Sequence, residues 1–236
     1  MSENSYDLSL ILKSSRKSLK NYFSPSPGQA VSLKDIQNFF TKLPVTFEII
    51  VVSEHSLGET EVKFSVAANL KTAMLKARGA YCFLMSAKLT HPLAEIIIFL
   101  THFYAHPEVQ IIVGSRARDL RKILFHESRW QRYQRIWSGQ LLQKFYLPKI
   151  DDALCEFKAF RQASAQLVFS LQQSTRLTAY TAEIEALLIA HQLQQNVEVL
   201  AVRSSAPEPP RSFFAQLMFF WALLLLKIRM NHLRRD

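Results

Sequence analysis

Three short runs of apolar and β-branched residues constrain the fold of this 236-residue chain more than any other feature. They are FEIIVV at Phe47–Val52, YCFLM at residues 81–85 and VQIIV at residues 109–113. A strand that is apolar on both sides needs cover on both faces, as in a parallel sheet that lies between helices. The first half of the chain is therefore expected to build a mostly parallel sheet.

Segments whose apolar residues have helical spacing alternate with these strands. Such alternation, with short connections, predicts βαβ units and an α/β fold. In chain order, the other predicted elements of this half are a strand at residues 8–12, a helix from the capping box of Ser32 and Asp35 to Pro44, a helix over residues 65–78 that Gly79 ends, and a helix from Pro92 to about Tyr104.

The second half is less regular, and it predicts two helices, over residues 161–173 and 181–194, and a strand over residues 197–202. Prolines at 207, 209 and 210 then predict a linker. We therefore divide the chain into a domain at residues 1–206 and a C-terminal segment at residues 207–236.

The C-terminal segment contains an apolar run that begins at Phe213 and ends at Leu226, with Gln216 as its one polar residue. Its 14 residues fall short of the roughly 20 that a spanning helix needs. Basic residues follow it, which is typical of a helix that lies in the plane of a membrane. The alternatives are a helix docked on the core and a contact with a second copy of the chain.

The composition favours anionic partners, because the formal net charge is +10. Two cysteines, Cys82 and Cys155, lie in apolar surroundings and form no disulfide framework. The polar N-terminus has no signal-peptide core. We expect a cytoplasmic protein, peripheral at the inner face of the membrane.

Residues 116–144 combine arginines with Trp130, Tyr133 and Trp137. Three interpretations are open: nucleic-acid binding by phosphate contact and stacking, contact with a membrane interface, and a solvated basic helix whose aromatic side chains lie in the core. Nucleic acid is the least favoured partner. Scattered histidines, including the pair His102 and His106, lack the further ligands of a zinc site.

Several strings, in chain order, resemble glycosyltransferase family 2, in particular its polyprenyl- or dolichyl-phosphate sugar transferases. The resemblance covers about residues 8–203. The strings are FEIIVV with SEHSLGET after it, KARGAYCFLM, SAKLTHP, IIVGSR, DALCEFK with Phe160, and EIEALLIA at residues 183–190. The resemblance implies a single domain of the GT-A (Rossmann-like) fold, with a mostly parallel sheet between helices.

The resemblance also implies a nucleoside-diphosphate sugar donor and an Asp-x-Asp motif that holds a divalent cation. Ser86 and Lys88 stand at those two acidic positions. A hydroxyl is a poor ligand for a hard cation, and an ammonium group repels one. We therefore predict no bound metal and no cofactor.

The other loops that face the donor in the resembled family also differ here. Ser53 and Glu54 replace two aspartates, His55 replaces a glycine, and the first strand ends in basic residues. The candidates for contact with a donor or phosphate are Lys13, Arg16, Ser53, Glu54, Ser86, Lys88, Arg116 and Lys158. The candidates for catalysis are Asp152, Glu183 and Lys88.

The charged residues at positions that match the resembled family also have a purely structural interpretation, in which buried ion pairs among them stabilise the fold. The predicted function is a degenerate, catalytically inactive glycosyltransferase that binds or scaffolds at a membrane surface or on a protein partner. The alternative is an active hexosyltransferase that needs no metal, uses a polyprenyl-phosphate acceptor and contacts the diphosphate through Lys88. The predicted partners are a nucleoside diphosphate or phosphate ligand and, through residues 213–226, an anionic membrane or a second copy in a homodimer.

Overall fold

The computed structural model describes residues 6–13, 33–52, 65–86, 92–119, 129–173, 179–204, 221 and 223–225. Seven strands and six helices of these ranges build the fold. The strands are β1 (Tyr6–Lys13), β2 (Phe47–Val52), β3 (Ser65–Ala67), β4 (Gly79–Ser86), β5 (Ile111–Ser115), β6 (Lys158–Arg161) and β7 (Val197–Ala201). The helices are α1 (Leu33–Phe40), α2 (Leu70–Lys76), α3 (Ala94–Ala105), α4 (Arg129–Phe145), α5 (Gln162–Leu171) and α6 (Ala179–Gln192).

All seven strands belong to one sheet, in the order β3-β2-β1-β4-β6-β5-β7. The first four in that order are parallel to one another. β6 runs antiparallel to both β4 and β5, and β7 is parallel to β5. Six of the described strands thus point one way and β6 points the other. The mostly parallel sheet and the α/β fold predicted from the sequence are confirmed.

Helices cover both faces of the sheet, and the central strands contribute side chains to two buried layers. In β4, Cys82 and Leu84 pack in the layer that contains α2, α5 and α6. Phe83 and Met85 pack in the opposite layer, against α1 and α3. The two-sided burial explains why the strand is apolar at successive positions. Both cysteines are buried and free.

The helix predicted over residues 65–78 is wrong in its first part. Ser65–Ala67 forms the short edge strand β3, which pairs with the end of β2, and the helix α2 begins at Leu70. Asn69 separates the two, and its side-chain oxygen accepts a hydrogen bond of 2.9 Å from the amide of Thr72. An asparagine in this role ends extended backbone and caps the helix that follows.

The helix predicted over residues 161–173 is confirmed as α5, but the strand β6 at residues 158–161, directly before it, was not predicted. Arg161 is the last residue of β6 rather than the first of α5. Its guanidinium donates to the carbonyl oxygens of Val109 (2.7 Å) and Phe103 (2.8 Å). The arginine therefore ties β6 to the segment between α3 and β5.

The aromatic side chains of α4 do not lie in the core, so that interpretation of residues 116–144 is wrong. Trp130, Tyr133 and Trp137 are 56%, 57% and 42% exposed. Most of residues 207–236 lie outside the described residues, as does the predicted linker. Within the part of the chain that is described, no helix has the length and apolar character needed to cross a bilayer.

The strand register aligns the ends of the parallel strands. Lys13, the last residue of β1, lies opposite Val52 of β2 on one side and Ser86 of β4 on the other. Ser115 ends β5 in the same direction, and Lys158 begins the antiparallel β6 at this same side. We call this side of the sheet the carboxyl edge. Ligands of open α/β sheets bind at such an edge.

Replacing Gly79 with alanine is expected to destabilise the sheet. A Cβ atom at Gly79 would lie 2.3 Å from the amide nitrogen of Ser9, so β1 and β4 would have to separate. We expect Gly79→Ala to lower the free energy of unfolding by about 1–3 kcal/mol or more, measured from the urea midpoint.

The control for this change is Gly139→Ala in α4. There the nearest atom to the added Cβ is the carbonyl oxygen of Asp151 at 3.1 Å, and alanine favours the helix. Gly139→Ala should lower the free energy of unfolding clearly less than Gly79→Ala does. A Gly79→Ala midpoint equal to that of the wild type would contradict the close approach of the two strands.

Candidate functional site

The sequence-predicted site residues that the structure describes converge on the carboxyl edge. Lys13 and Ser86 end neighbouring strands, and Arg116 directly follows β5. Asp152 lies in the segment that leads to Lys158 at the start of β6, and Glu183 belongs to α6. The candidates Arg16, Ser53, Glu54 and Lys88 lie outside the described residues.

Glu183 is the centre of a buried ion-pair cluster. Its Oε2 accepts a hydrogen bond of 2.6 Å from Nζ of Lys158, and its Oε1 accepts one from Nζ of Lys13. Lys158 also donates to the carbonyl oxygen of Cys155. The side chains of Glu183 and Lys158 are 3% and 1% exposed, so both charges are nearly removed from water. Buried charges persist when they are paired in this way.

Glu156 adds a second carboxylate to the cluster. Its Oε1 lies 3.6 Å from Nζ of Lys13, and both side chains are nearly buried. Glu156 was not among the site residues predicted from the sequence. A signal was available, because the motif that residues 152–158 resemble has glycine where this chain has Glu156, and the first strand ends in basic residues, beginning with Lys13, where the resembled family has none. The two departures from the pattern are ion-pair partners.

Arg116 and Asp152 form a separate buried pair. The guanidinium makes two bonds to the carboxylate, Nε to Oδ2 at 2.8 Å and Nη2 to Oδ1 at 2.9 Å. The amide of Arg116 donates to Oδ2 as well, at 3.1 Å. Each side chain is 4% exposed. Two parallel bonds fix the guanidinium plane and join the end of β5 to the segment before β6.

The pKa of Glu183 shows how strongly the lysines act on it. Burial alone would favour the neutral acid, but the nearby charges of Lys13 and Lys158 outweigh burial and hold the pKa below its ordinary value of 4.5. Glu183 is therefore a carboxylate at neutral pH. Among the described residues of these two clusters, three cations (Lys13, Arg116 and Lys158) face three carboxylates (Asp152, Glu156 and Glu183), so their formal charges cancel.

The described residues of the carboxyl edge do not fit a hard divalent cation. Such a cation prefers several carboxylate oxygens. β4 ends in the hydroxyl of Ser86, and the three carboxylates nearby are bonded to lysine or arginine. Nowhere among the residues that the structure describes do three histidine, cysteine, aspartate or glutamate side chains converge as metal ligands would.

No protein-family model matches the sequence, and no curated protein matches it. Solved structures do resemble its fold. Mannosyl-3-phosphoglycerate synthase from Rubrobacter xylanophilus superposes with a TM-score of 0.56 and 9% identity, over 97% of this chain and 75% of that one. Glucosyl-3-phosphoglycerate synthase from Mycobacterium tuberculosis, in complex with Mn²⁺ and UDP-glucose, gives a TM-score of 0.56 and 12% identity, over 89% of this chain and 73% of that one.

A further structure of the M. tuberculosis enzyme contains Mn²⁺, UDP and glucosyl-3-phosphoglycerate. It superposes with a TM-score of 0.54 and 14% sequence identity, over 87% of this chain and 74% of that one. At these identities the likeness concerns the fold. The chain has a GT-A-like glycosyltransferase fold, as the sequence analysis predicted.

Glu183→Gln is expected to destabilise the protein strongly at neutral pH. The substitution keeps the shape of the side chain but leaves Lys158 buried without its counter-ion, and losing one partner of a buried pair costs about 3–5 kcal/mol. Because the folded-state pKa of Glu183 is lowered, its contribution is present above the unfolded-state pKa and is lost as the pH falls through the folded-state value.

The stability difference between wild type and Glu183→Gln should thus be widest near pH 7 and narrow as the pH falls below about 4.5, as urea unfolding at several pH values would measure. Glu108→Gln is the control, because Glu108 pairs with His106 at an exposed position. A difference that stays constant from pH 7 to pH 3 would contradict the pairing.

Proposed function

We propose that this protein is a degenerate glycosyltransferase, related to family 2, that has lost metal-dependent sugar transfer and acts as a binding or scaffolding protein. One observation carries the proposal: lysine and arginine side chains of the same chain already neutralise the three carboxylates Asp152, Glu156 and Glu183. The neighbours in fold include a protein solved with Mn²⁺ and UDP-glucose. In this chain the described carboxylates of the carboxyl edge are bonded to lysine and arginine instead of being open to a metal ion.

The buried pairs make these carboxylates poor metal ligands. A cation that bound Glu183 would have to displace Lys13 and Lys158, and Lys158 is nearly inaccessible to water. An uncompensated charge at such a depth costs about 3–5 kcal/mol. Asp152 is held in the same manner by both guanidinium bonds of Arg116. The carboxylates are thus more stable in their ion pairs with lysine and arginine than as ligands of a metal ion.

The same pairs weaken the case for general-base chemistry. A base must accept a proton near neutral pH, and the pKa of Glu183 is lowered away from that range. Lys13, Lys158 and Arg116 are likewise engaged with carboxylates and bring no net charge to a diphosphate. A metal-independent transferase would therefore depend on Lys88 and Arg16. We rank it second for that reason.

Calorimetric titration of the full chain with UDP and with GDP tests the proposal. The affinity measured for each nucleotide should be the same in Mn²⁺ and in EDTA. Incubation of the protein with UDP-glucose or GDP-mannose should release no nucleoside diphosphate above the rate in buffer. A Lys88→Asp variant that gains affinity for Mn²⁺ would support descent from a metal-dependent ancestor, because it restores one carboxylate.

Two outcomes would overturn the proposal. Nucleotide binding or turnover that requires Mn²⁺ would show that the metal site persists. Turnover in EDTA that is abolished by Lys88→Ala would establish the metal-independent transferase instead. Lys34→Ala is the control for this lysine, because Lys34 is an exposed residue of α1, remote in sequence from the loop after β4.

A further inference from the structure

Helix α4 presents an aromatic face to solvent. The exposed residues Trp130, Tyr133, Ile136 and Trp137 recur at intervals of three and four positions or beside one another, which places them on one side of the helix. We call these four residues the α4 outer face. The opposite side is buried through Ser138 and Leu142. The rings of Trp130 and Tyr133 stack, with centroids 5.8 Å apart.

The α4 outer face is bordered by positive charge. Arg129 and Arg132 are exposed on the same helix, and Lys144 is exposed near its end. Residues 129–150 contain five lysines and arginines and no aspartate or glutamate. The surface therefore combines large amphipathic rings with exposed cations, in a segment that carries no acidic side chain of its own.

A second exposed apolar surface lies on the same side of the sheet. Leu223 is 1% exposed and belongs to the buried layer that also contains Leu142 of α4. Its neighbours Trp221, Leu224 and Leu225 are 59%, 44% and 49% exposed. Trp130, Trp137 and Trp221 are the three tryptophans of the chain, and all of them are exposed in elements that cover this layer.

We propose that the α4 outer face docks on the surface of an anionic lipid bilayer, with the helix in the plane of the membrane. Tryptophan and tyrosine rings are amphipathic and favour the headgroup region. Arginines insert their apolar stems beside the rings and keep their charge at the headgroups. Each basic residue near an anionic surface adds attraction. The inference gives the proposed binding role a definite surface and a definite occupant.

Charge complementarity separates this occupant from the others. A symmetric contact with a second copy would bring two segments that are basic and contain no acidic residue into one interface, where like charges repel. Single-stranded nucleic acid binds in grooves that combine stacking with phosphate contact, whereas these rings project from the outer side of a helix. An anionic headgroup layer accommodates the amphipathic rings and attracts the arginine side chains at the same time.

Tryptophan fluorescence and co-sedimentation with 100 nm vesicles test the proposal on the full chain. Vesicles of phosphatidylcholine with phosphatidylglycerol should bind the protein and shift its tryptophan emission to the blue. Pure phosphatidylcholine should bind at least tenfold more weakly, and added salt should weaken binding to the anionic vesicles, because salt screens the attraction.

Two variants locate the surface. Trp130→Ala with Trp137→Ala should lower the partition coefficient for anionic vesicles by at least tenfold. Arg129→Gln with Arg132→Gln should lower it by about 25-fold, which is about fivefold for each charge at about 1 kcal/mol per basic residue. Tyr104→Ala on α3 is the control, because Tyr104 is 64% exposed but lies on a helix that covers the opposite face of the sheet, and it should leave binding unchanged.

Several results would overturn the inference: no binding to anionic vesicles, equal binding by both α4 variants and the wild type, or a wild-type dimer that the α4 variants convert to a monomer. Tighter binding to single-stranded RNA than to the vesicles would do the same. Vesicle binding needs neither Mn²⁺ nor nucleotide. Metal-dependent turnover would therefore overturn the proposed loss of catalysis alone, and absent vesicle binding would overturn the docking surface alone.

Discussion

The contact between Glu183 and its two lysines determines how the rest of the carboxyl edge is built. One carboxylate on α6 bonds to Lys13 at the end of β1 and to Lys158 at the start of β6. These two strands flank β4, so the cluster spans the strand whose end carries Ser86. Both lysine charges are nearly buried, and each needs a partner. The structure supplies those partners from its own chain.

The pairing gives a physical reason why two departures of this sequence from the resembled family, Lys13 and Glu156, occur together. A lysine at the end of β1 would be costly beside a sheet without a counter-ion, and Glu156 provides one at a position where the resembled motif has glycine. Arg116 and Asp152 form an independent pair next to it. The GT-A-like fold thus carries ion pairs between residues of its own chain in the described part of the carboxyl edge. We propose that the protein makes contact instead through the α4 outer face, which is a different surface of the molecule.

Much of this fold could be predicted from sequence because β1, β2 and β4 are continuous apolar strands whose ends align. β6 could not, since the four residues from Lys158 to Arg161 are too short and too charged to show strand periodicity. Their charges are paired with groups distant in the sequence, such as the carboxylate of Glu183 and the carbonyl oxygen of Val109. The exposure of Trp130 was equally hidden, because the sequence of an amphipathic helix does not say which side the sheet covers.

A double-mutant cycle on Lys158 and Glu183 tests most directly whether the carboxyl edge is held by its own ion pairs. Urea unfolding at pH 7 would be measured for the wild type, Lys158→Met, Glu183→Gln and the double variant. The account predicts a coupling free energy of about 2–3 kcal/mol, at the upper end of the range for contacting residues. A coupling below about 0.5 kcal/mol, as for independent sites, would contradict it.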